Sequence, residues 1–290
     1  MIPARNRAAV IGRAVASACA QTLPPAEIIV VDDGSDDGGA TTEAARAAMC
    51  GAIPLRIIEL GKRGGAPSAR NRGIAEAQGD WIALLDSDDA FAPEKLEVCA
   101  RAITPEVSAV FTDTRFETEG GATYTLYAGQ PVDTRDLVYS NVLGGCSAAV
   151  IRRESFESAG GFDPALPSCQ DWDLWLKLAN QGRIAVVGEP LTLYFFDGAN
   201  RISRGTANVV AGHRAVFQRI YERHAPDEAA RLRRYHDFHL AQTKAYWVLS
   251  GDGVLLPALR NLAAPHPRTT RKSSLHLLYT GLKRKLGLLN

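Results

Sequence analysis

At 290 residues the chain is long enough for one large core or for a core plus an appendage. Its charged residues, 22% of the total, sum to a net charge of +1, so no global field argues for nucleic acid or an acidic polymer as partner. Five scattered cysteines, Cys19, Cys50, Cys99, Cys146 and Cys169, form no CxxC pair; their odd number fits reduced thiols in a cytosol rather than a disulfide framework or a zinc site.

In chain order, the opening "MIPARNRAAV" lacks the continuous apolar stretch of a signal peptide. "AAVIGRAVASACAQ" has the spacing of a packed helix, and "EIIVVDDGS" is a β-branched run ending in turn residues, which predicts a buried strand. "TTEAARAAM" predicts a helix, "IPLRIIEL" a strand, and "PSARNRGIAEAQ" a helix with Ser68 as N-cap and Gly79 at its end. The strand "WIALLD" and the helix "PEKLEVCARAI", with Pro93 in its first turn, follow. Strands alternating with helices imply right-handed crossovers and a parallel sheet covered on both faces.

From residue 116 the pattern is mixed. "CSAAVIRR" predicts a strand entering the helix "RESFESA", which Gly160 and Gly161 stop. "QDWDLWLKLANQG" predicts a helix with Leu174, Trp175 and Leu178 on one face and Asp171 near its N-terminus, where the helix dipole favours a carboxylate. "GRIAVVGEPLTLYFF" is too short and too charged to span a bilayer and predicts two strands joined by a turn. Beyond residue 205 helix dominates: Val209, His213, Val216, Phe217 and Ile220 share a face, with His213 as a core histidine, and "DEAARLRRYHDFHLAQTKAYWVL" continues after Pro226. After Asp252 no acidic residue occurs, while Arg260, Arg268, Arg271, Lys272, Lys283, Arg284 and Lys285 interleave with apolar runs. That tail reads either as a packed helix with a solvated basic face or as an amphipathic segment for an anionic membrane surface.

Two predicted strands end in acids, "VVDD" and "LLDSDD". Ligands of open α/β sheets sit outside the carboxyl ends of the strands, so both clusters are expected to face one crevice. Asp32, Asp33 and Asp36 have a plainer alternative as helix caps. Asp86, Asp88 and Asp89 repel one another unless a cation neutralises them. Hard divalent cations such as Mn²⁺ or Mg²⁺ prefer carboxylate oxygens and keep positions for water and substrate phosphates, which points to a nucleotide or nucleotide-sugar ligand. Neither GxxxxGK[ST] nor a GxGxxG after the first strand is present, which leaves the phosphates to metal and side chains.

"IPARNR", "QTLPPAEIIVVDDGSDD", "GGAPSARNRGIAEAQGDWIALLDSDDAFAPEKL", "GGFD" and "QDWDLWLKLA" occur in this order. In these motifs the sequence resembles the family 2 glycosyltransferases, inverting enzymes of GT-A fold, over residues 2 to 200. The resemblance implies an α/β, Rossmann-like GT-A fold: a mixed, mostly parallel sheet flanked by helices, with a catalytic domain at 1–204 and a helical C-terminal extension at 205–290. It implies that Pro3, Ala4, Arg5 and Asn6 border the nucleotide, that Asp33 accepts a hydrogen bond from the base with Asp32 supporting the loop, and that Arg70 lies near the nucleotide or diphosphate. Asp86 and Ser87 would approach the ribose and donor sugar, and Asp88 and Asp89 are both candidates for the Mn²⁺ or Mg²⁺ ion.

Asp171 corresponds to the family's base, which takes a proton from the acceptor hydroxyl in a single displacement; Asp173 competes for that role. Gln170 stands where the family commonly has Glu, and family members usually carry apolar residues ahead of "IP", so the first strand is expected to be short or to start upstream. Arg201 or Arg204 is a candidate for the diphosphate from a mobile loop, or a plain surface arginine. No "QxxRW" follows Asp171. The expected reaction is therefore non-processive transfer of one sugar from a nucleotide-sugar, UDP-sugar first and dTDP-sugar next, to a hydroxyl of a glycan or lipid-linked saccharide. The expected setting is the cytoplasm, with peripheral contact on the cytoplasmic face of the inner membrane through the basic tail.

Two other classes fit less of the text. A nucleotidyltransferase of similar fold needs a Gly-rich basic loop after the first strand, and "IPARNRAAVIGR" matches it poorly. A non-catalytic sugar-nucleotide-binding subunit would bind the same donor without turnover.

Overall fold

The computed structural model describes residues 1–117, 123–125, 133–195 and 206–247. The chain divides into two compact units, one of Met1–Ala165 with Gln170–Ala199 and the other of Leu166–Cys169 with Asn200–Asn290.

In the first unit, β1 (Ile2–Ala4), β2 (Ile28–Asp32) and β3 (Leu55–Glu59) form a parallel sheet in the order β1-β2-β3, with Ile2 opposite Val30 and Ile28 opposite Leu55. Helices α1 (Ile11–Cys19), α2 (Ala40–Ala47) and α3 (Ala66–Ala75) lie between and after these strands in the chain. Every residue of β2 is buried, because alternate side chains serve opposite faces. Ile28 and Val30 pack with Ile11, Ala14 and Val15 of α1, while Ile29 and Val31 pack with Ala69 of α3. Each such aliphatic side chain contributes about 1.5–3 kcal/mol by leaving water, which fixes the strand's register and hence the position of the acids at its end.

The second sheet runs β4 (Trp81–Ala83), β8 (Ala149–Arg152), β6 (Val107–Glu117), β9 (Arg183–Phe195), β5 (Ala90–Phe91), with β7 (Thr123–Thr125) on β6. β6 and β9 are parallel; the other pairs are antiparallel. Met1 links the two sheets: its amine donates to Ala83 O (2.8 Å) and its carbonyl accepts from Leu85 N–H (3.1 Å). Burial lowers the amine's pKa to about 5, with Glu27 acting in the opposite sense. An apolar cavity of about 310 Å³ adjoins this link, lined in part by Ile29, Trp81, Ile82 and Leu96.

Helices α4 (Lys95–Arg101), α5 (Arg153–Ser158) and α6 (Gln170–Leu178) complete this unit. Trp172 and Trp175 of α6 are fully buried; their indole N–H groups donate to Leu137 O (2.8 Å) and Gly144 O (3.0 Å), and Trp175 meets Phe111 edge-on at 4.7 Å. Two large aromatics, each with its polar tip satisfied, set the orientation of α6 and of the residues at its N-terminus.

Three local expectations are corrected. Within "GRIAVVGEPLTLYFF", Arg183–Phe195 form one strand, β9, and its Gly188-Glu189-Pro190 falls in a register shift against Thr112–Thr114 rather than in a turn. A bulge absorbs the proline without ending the strand. Ser68 lies inside the first turn of α3, whose N-cap is Gly65; Pro67 stands at the start, where a missing N–H costs nothing. In "WIALLD" only Trp81–Ala83 is strand, paired with Arg152–Val150 of β8.

In the second unit, α7 (Thr206–Tyr221) packs against α8 (Pro226–Trp247). His236 stacks on Phe217 at 3.7 Å and its Nδ1 meets the Tyr221 hydroxyl at 2.9 Å. His213 Nδ1 bonds Val209 O (2.8 Å) and contacts Cys169 Sγ (3.3 Å), so its ring is satisfied within this unit. The expectations for Arg201, Arg204 and the basic tail lie outside the described residues. Among the described residues no helix is long and apolar enough to cross a membrane. Among the described residues, which include all five cysteines, no disulfide is formed.

Candidate active site

β1 and β2 end side by side, with Asp33 N–H donating to Ala4 O (2.8 Å). Pro3 is buried inside β1. After Asp33 the chain turns at Gly34 (φ +67°), where a Cβ would lie 2.9 Å from Arg63 N; only glycine lets the two backbones approach. Buried Asp32 closes the turn, its Oδ1 accepting from Ser35 N–H (3.2 Å) and the Ser35 hydroxyl (2.5 Å). Asp33, 4% exposed, accepts Gly64 N–H on Oδ1 (2.6 Å) and Gly65 N–H on Oδ2 (2.8 Å). Asp33 thereby ties the end of β2 to the start of α3.

At the rim, Asn6 adopts φ +53°, donates its N–H to Ser35 Oγ (2.9 Å) and pairs its side-chain amide with Asp36. Arg5 Nη2 stands 3.6 Å from the same carboxylate. Hydrogen bonds from Asn6 and from its own backbone, with the charge of Arg5, lower the Asp36 pKa. Asp36 is therefore not the cap of α2. The N-cap of α2 is Gly39, and Asp37 accepts Thr41 N–H (3.1 Å) and its hydroxyl (2.5 Å) in the first turn.

α3 carries Arg70 to the end of β4, where its Nη2 donates to Asp86 Oδ1 at 2.5 Å. Burial disfavours the guanidinium charge, but Asp86, with Cys146 and Asp171 nearby, outweighs it and raises the Arg70 pKa. The next residue, Asn71, clamps the "GGFD" segment: its amide donates to Phe162 O (2.8 Å) and accepts Phe162 N–H (3.0 Å). The three acids of "DSDD" part company. Asp86 is half-buried and ion-paired with Arg70. Ser87 is buried. Asp89, 3% exposed, accepts the Ser147 hydroxyl on Oδ2 (2.6 Å), and Ser147 Oγ also accepts Asp86 N–H (3.0 Å). Asp88 is half-buried, and its carbonyl accepts from Arg13 Nη2 (2.5 Å), whose guanidinium lies over the Phe195 ring at 3.7 Å.

Asp171 stands in the first turn of α6, accepting Trp172 N–H on Oδ1 (2.7 Å) and Asn141 Nδ2 on Oδ2 (3.3 Å). Desolvation raises its pKa; the Trp172 N–H and Arg70 oppose this and Asp86 reinforces it. Arg70, Asp86 and Asp171 thus lie within one another's electrostatic reach. Asp173, by contrast, is 3% exposed and paired with Lys177 Nζ at 2.7 Å. Asn141, Ser147 and Arg13 lie on distant segments with no local sequence signature, whereas Asn71 stands inside "SARN", next to Arg70.

A divalent cation at this loop would take one or two of its carboxylates and fill its other positions with diphosphate and water oxygens. Among the described residues no three His, Cys, Asp or Glu side chains converge into a cage that would hold a metal by protein alone.

Residues 1–160 match the sequence profile described as glycosyl transferase family 2. The Bacillus subtilis protein "uncharacterized glycosyltransferase YwdF" is 30% identical over 232 residues, covering 77% of this chain and 82% of that relative. S. aureus TarS 1-349 in complex with UDP-GlcNAc superimposes with a TM-score of 0.65 at 17% identity, over 99% of this chain and 87% of TarS. The mannosyltransferase PcManGT of Pyrobaculum calidifontis, in complex with GDP-Man and Mn²⁺, superimposes with a TM-score of 0.58 at 21% identity, over 100% of this chain and 79% of that one. With the acids at two strand ends, the arginine between them and this shared architecture, the chain belongs to glycosyl transferase family 2 and is a glycosyltransferase of GT-A fold.

Proposed function

We propose that the protein is an inverting, metal-dependent transferase that moves one sugar from a nucleotide-sugar, most simply a UDP-sugar, to a hydroxyl of a glycan or lipid-linked saccharide. The observation that carries this reading is the Arg70–Asp86 ion pair with the Asp171 carboxylate in its field. TarS, which shares the fold, binds UDP-GlcNAc, and PcManGT binds GDP-Man with Mn²⁺.

In this reading the loops after β1 and β2 receive the nucleotide, with Arg5, Asn6, Asp32 and Asp33 shaping the pocket. Asp33 already accepts two backbone amides, so its contact with a base would use remaining lone pairs. Arg70 and Asp86 flank the diphosphate and ribose. Asp88 would hold the cation, and Asp89 would support the loop from beneath. When bound, the cation offsets charge developing on the departing diphosphate oxygens. Asp171 accepts the proton of the acceptor hydroxyl; that oxygen forms a bond to the anomeric carbon as the bond to the diphosphate oxygen breaks, on the opposite face. Burial raises the Asp171 pKa above its ordinary value, which makes its carboxylate a stronger base, a role worth about 10²–10⁴ in rate. Asp173, committed to Lys177, is not available for it.

A thermal-shift panel of UDP-, dTDP- and GDP-sugars with and without Mn²⁺ tests the donor reading, because a ligand of the folded state raises the midpoint by mass action. Stabilisation by UDP-sugars that needs Mn²⁺ is expected. Equal stabilisation in EDTA would remove the metal from the account, and binding without nucleotide release across many acceptors would favour a non-catalytic subunit.

A further inference from the structure

A polar network lies beneath the acidic loop, and the chemistry above makes no use of it. Lys95, the first residue of α4, is 0% exposed. Its Nζ donates to Thr112 Oγ1 on β6 (2.7 Å), Thr192 Oγ1 on β9 (2.9 Å) and Ala148 O (3.2 Å), which uses all three ammonium hydrogens. The Thr192 hydroxyl in turn reaches Ser147 O at 3.2 Å. Ser147 is the hub: its Oγ accepts the Asp86 amide and donates to Asp89 Oδ2.

A lysine at this depth is expensive. Burial lowers its pKa to about 8, with Cys99 and Asp89 acting in the opposite sense. An apolar side chain of similar volume would fill the same space without desolvating a charge, so packing alone does not account for it. What the lysine does supply is a rigid, fully satisfied junction joining α4, β6, β9 and the turn that carries Ser147.

We propose that Lys95, Thr192 and Ser147 are positioning residues for the acidic loop, which they grip through the Asp86 amide and the Asp89 carboxylate so that Asp88 is the carboxylate presented to a divalent cation. The inference rests on the reading of Asp88 as the cation's ligand, and the test separates the two. Groups that orient a metal ligand commonly change metal affinity without touching the ion.

Mn²⁺ binding to the full chain in the presence of UDP, followed by electron paramagnetic resonance of free Mn²⁺, is compared for wild type and four variants. Asp88→Asn should abolish binding. Ser147→Ala and Lys95→Met should weaken it about tenfold in protein that is still folded by circular dichroism. Asp89→Asn, which keeps only a weaker, neutral acceptor for the Ser147 hydroxyl, should weaken binding as Ser147→Ala does and clearly less than Asp88→Asn. A merely structural network would lower the unfolding temperature and leave Mn²⁺ affinity unchanged. If Lys95→Met does not fold, Ser147→Ala and Thr192→Val carry the comparison. Wild-type affinity in Ser147→Ala, or a loss in Asp89→Asn as large as in Asp88→Asn, overturns the inference alone; wild-type affinity in Asp88→Asn overturns the reading of the cation site and the inference with it.

Discussion

Asp33 offers a direct test of how the nucleotide loops are built. Its two carboxylate oxygens accept the N–H groups of Gly64 and Gly65, at 2.6 and 2.8 Å, and Gly65 is the N-cap of the helix that carries Arg70. Hydrogen bonds to a charged group contribute about 1.5–3 kcal/mol each. Asp33→Ala removes both, but Gly64 is exposed and water can satisfy its amide, so a loss near the low end of the combined range, about 3 kcal/mol, is expected. Asp33→Asn keeps one acceptor and turns an NH₂ toward the other amide, so it should lose about 2 kcal/mol by the same reasoning. Urea unfolding of the ligand-free protein, with the slope checked for constancy, measures the difference. UDP titration of the folded variants should show weaker binding, since the start of α3 is no longer tied to β2. A wild-type midpoint for Asp33→Ala, with UDP binding nonetheless lost, would refute the reasoning: the carboxylate would then serve the ligand and not the loop.

Arg70→Met should cost about 2 kcal/mol, less than a fully buried pair because Asp86 is about a third exposed, and should weaken UDP binding; equilibrium unfolding and titration check both. The Asp171 pKa lies above its ordinary value of 3.8, so kcat/KM should rise with pH through that raised value as the base ionises. In the same window the folded state binds the proton more tightly than the unfolded one, so Asp171 makes stability fall as pH rises, a slope that Asp171→Asn should remove. Lys95 has the opposite sign: with a folded pKa of about 8 against an ordinary 10.5, the unfolded chain binds more protons between these values. Stability should rise across that window by on the order of 3 kcal/mol from this group, and Lys95→Met should flatten the rise in a pH series of unfolding curves.

The elements that carry the site were legible where one period dominates. "IIVV" is β-branched throughout and is buried throughout, and the Leu174–Trp175–Leu178 face of α6 does meet the core. β9 was not legible, because Gly, Glu and Pro in succession carry a turn's local signature; only the long parallel ladder with β6 holds them in a strand. The start of α3 was not legible for a similar reason, since Ser68 is a good cap by composition while Asp33, more than thirty residues earlier in the chain, accepts the amide of the N-cap Gly65. The acids of "DSDD" are alike as text. They differ in space because Ser147 reaches one carboxylate and Arg70 another, and neither partner is near in sequence.

The central claim is that Asp171 removes the acceptor proton while the rest of the site holds the donor. Asp171→Asn, assayed for UDP release from a UDP-sugar with acceptor and Mn²⁺, and in parallel for donor binding by thermal shift, tests it most directly. The account predicts a wild-type shift with release lost. Release at the wild-type rate, or loss of both release and donor binding in a folded variant, would contradict it.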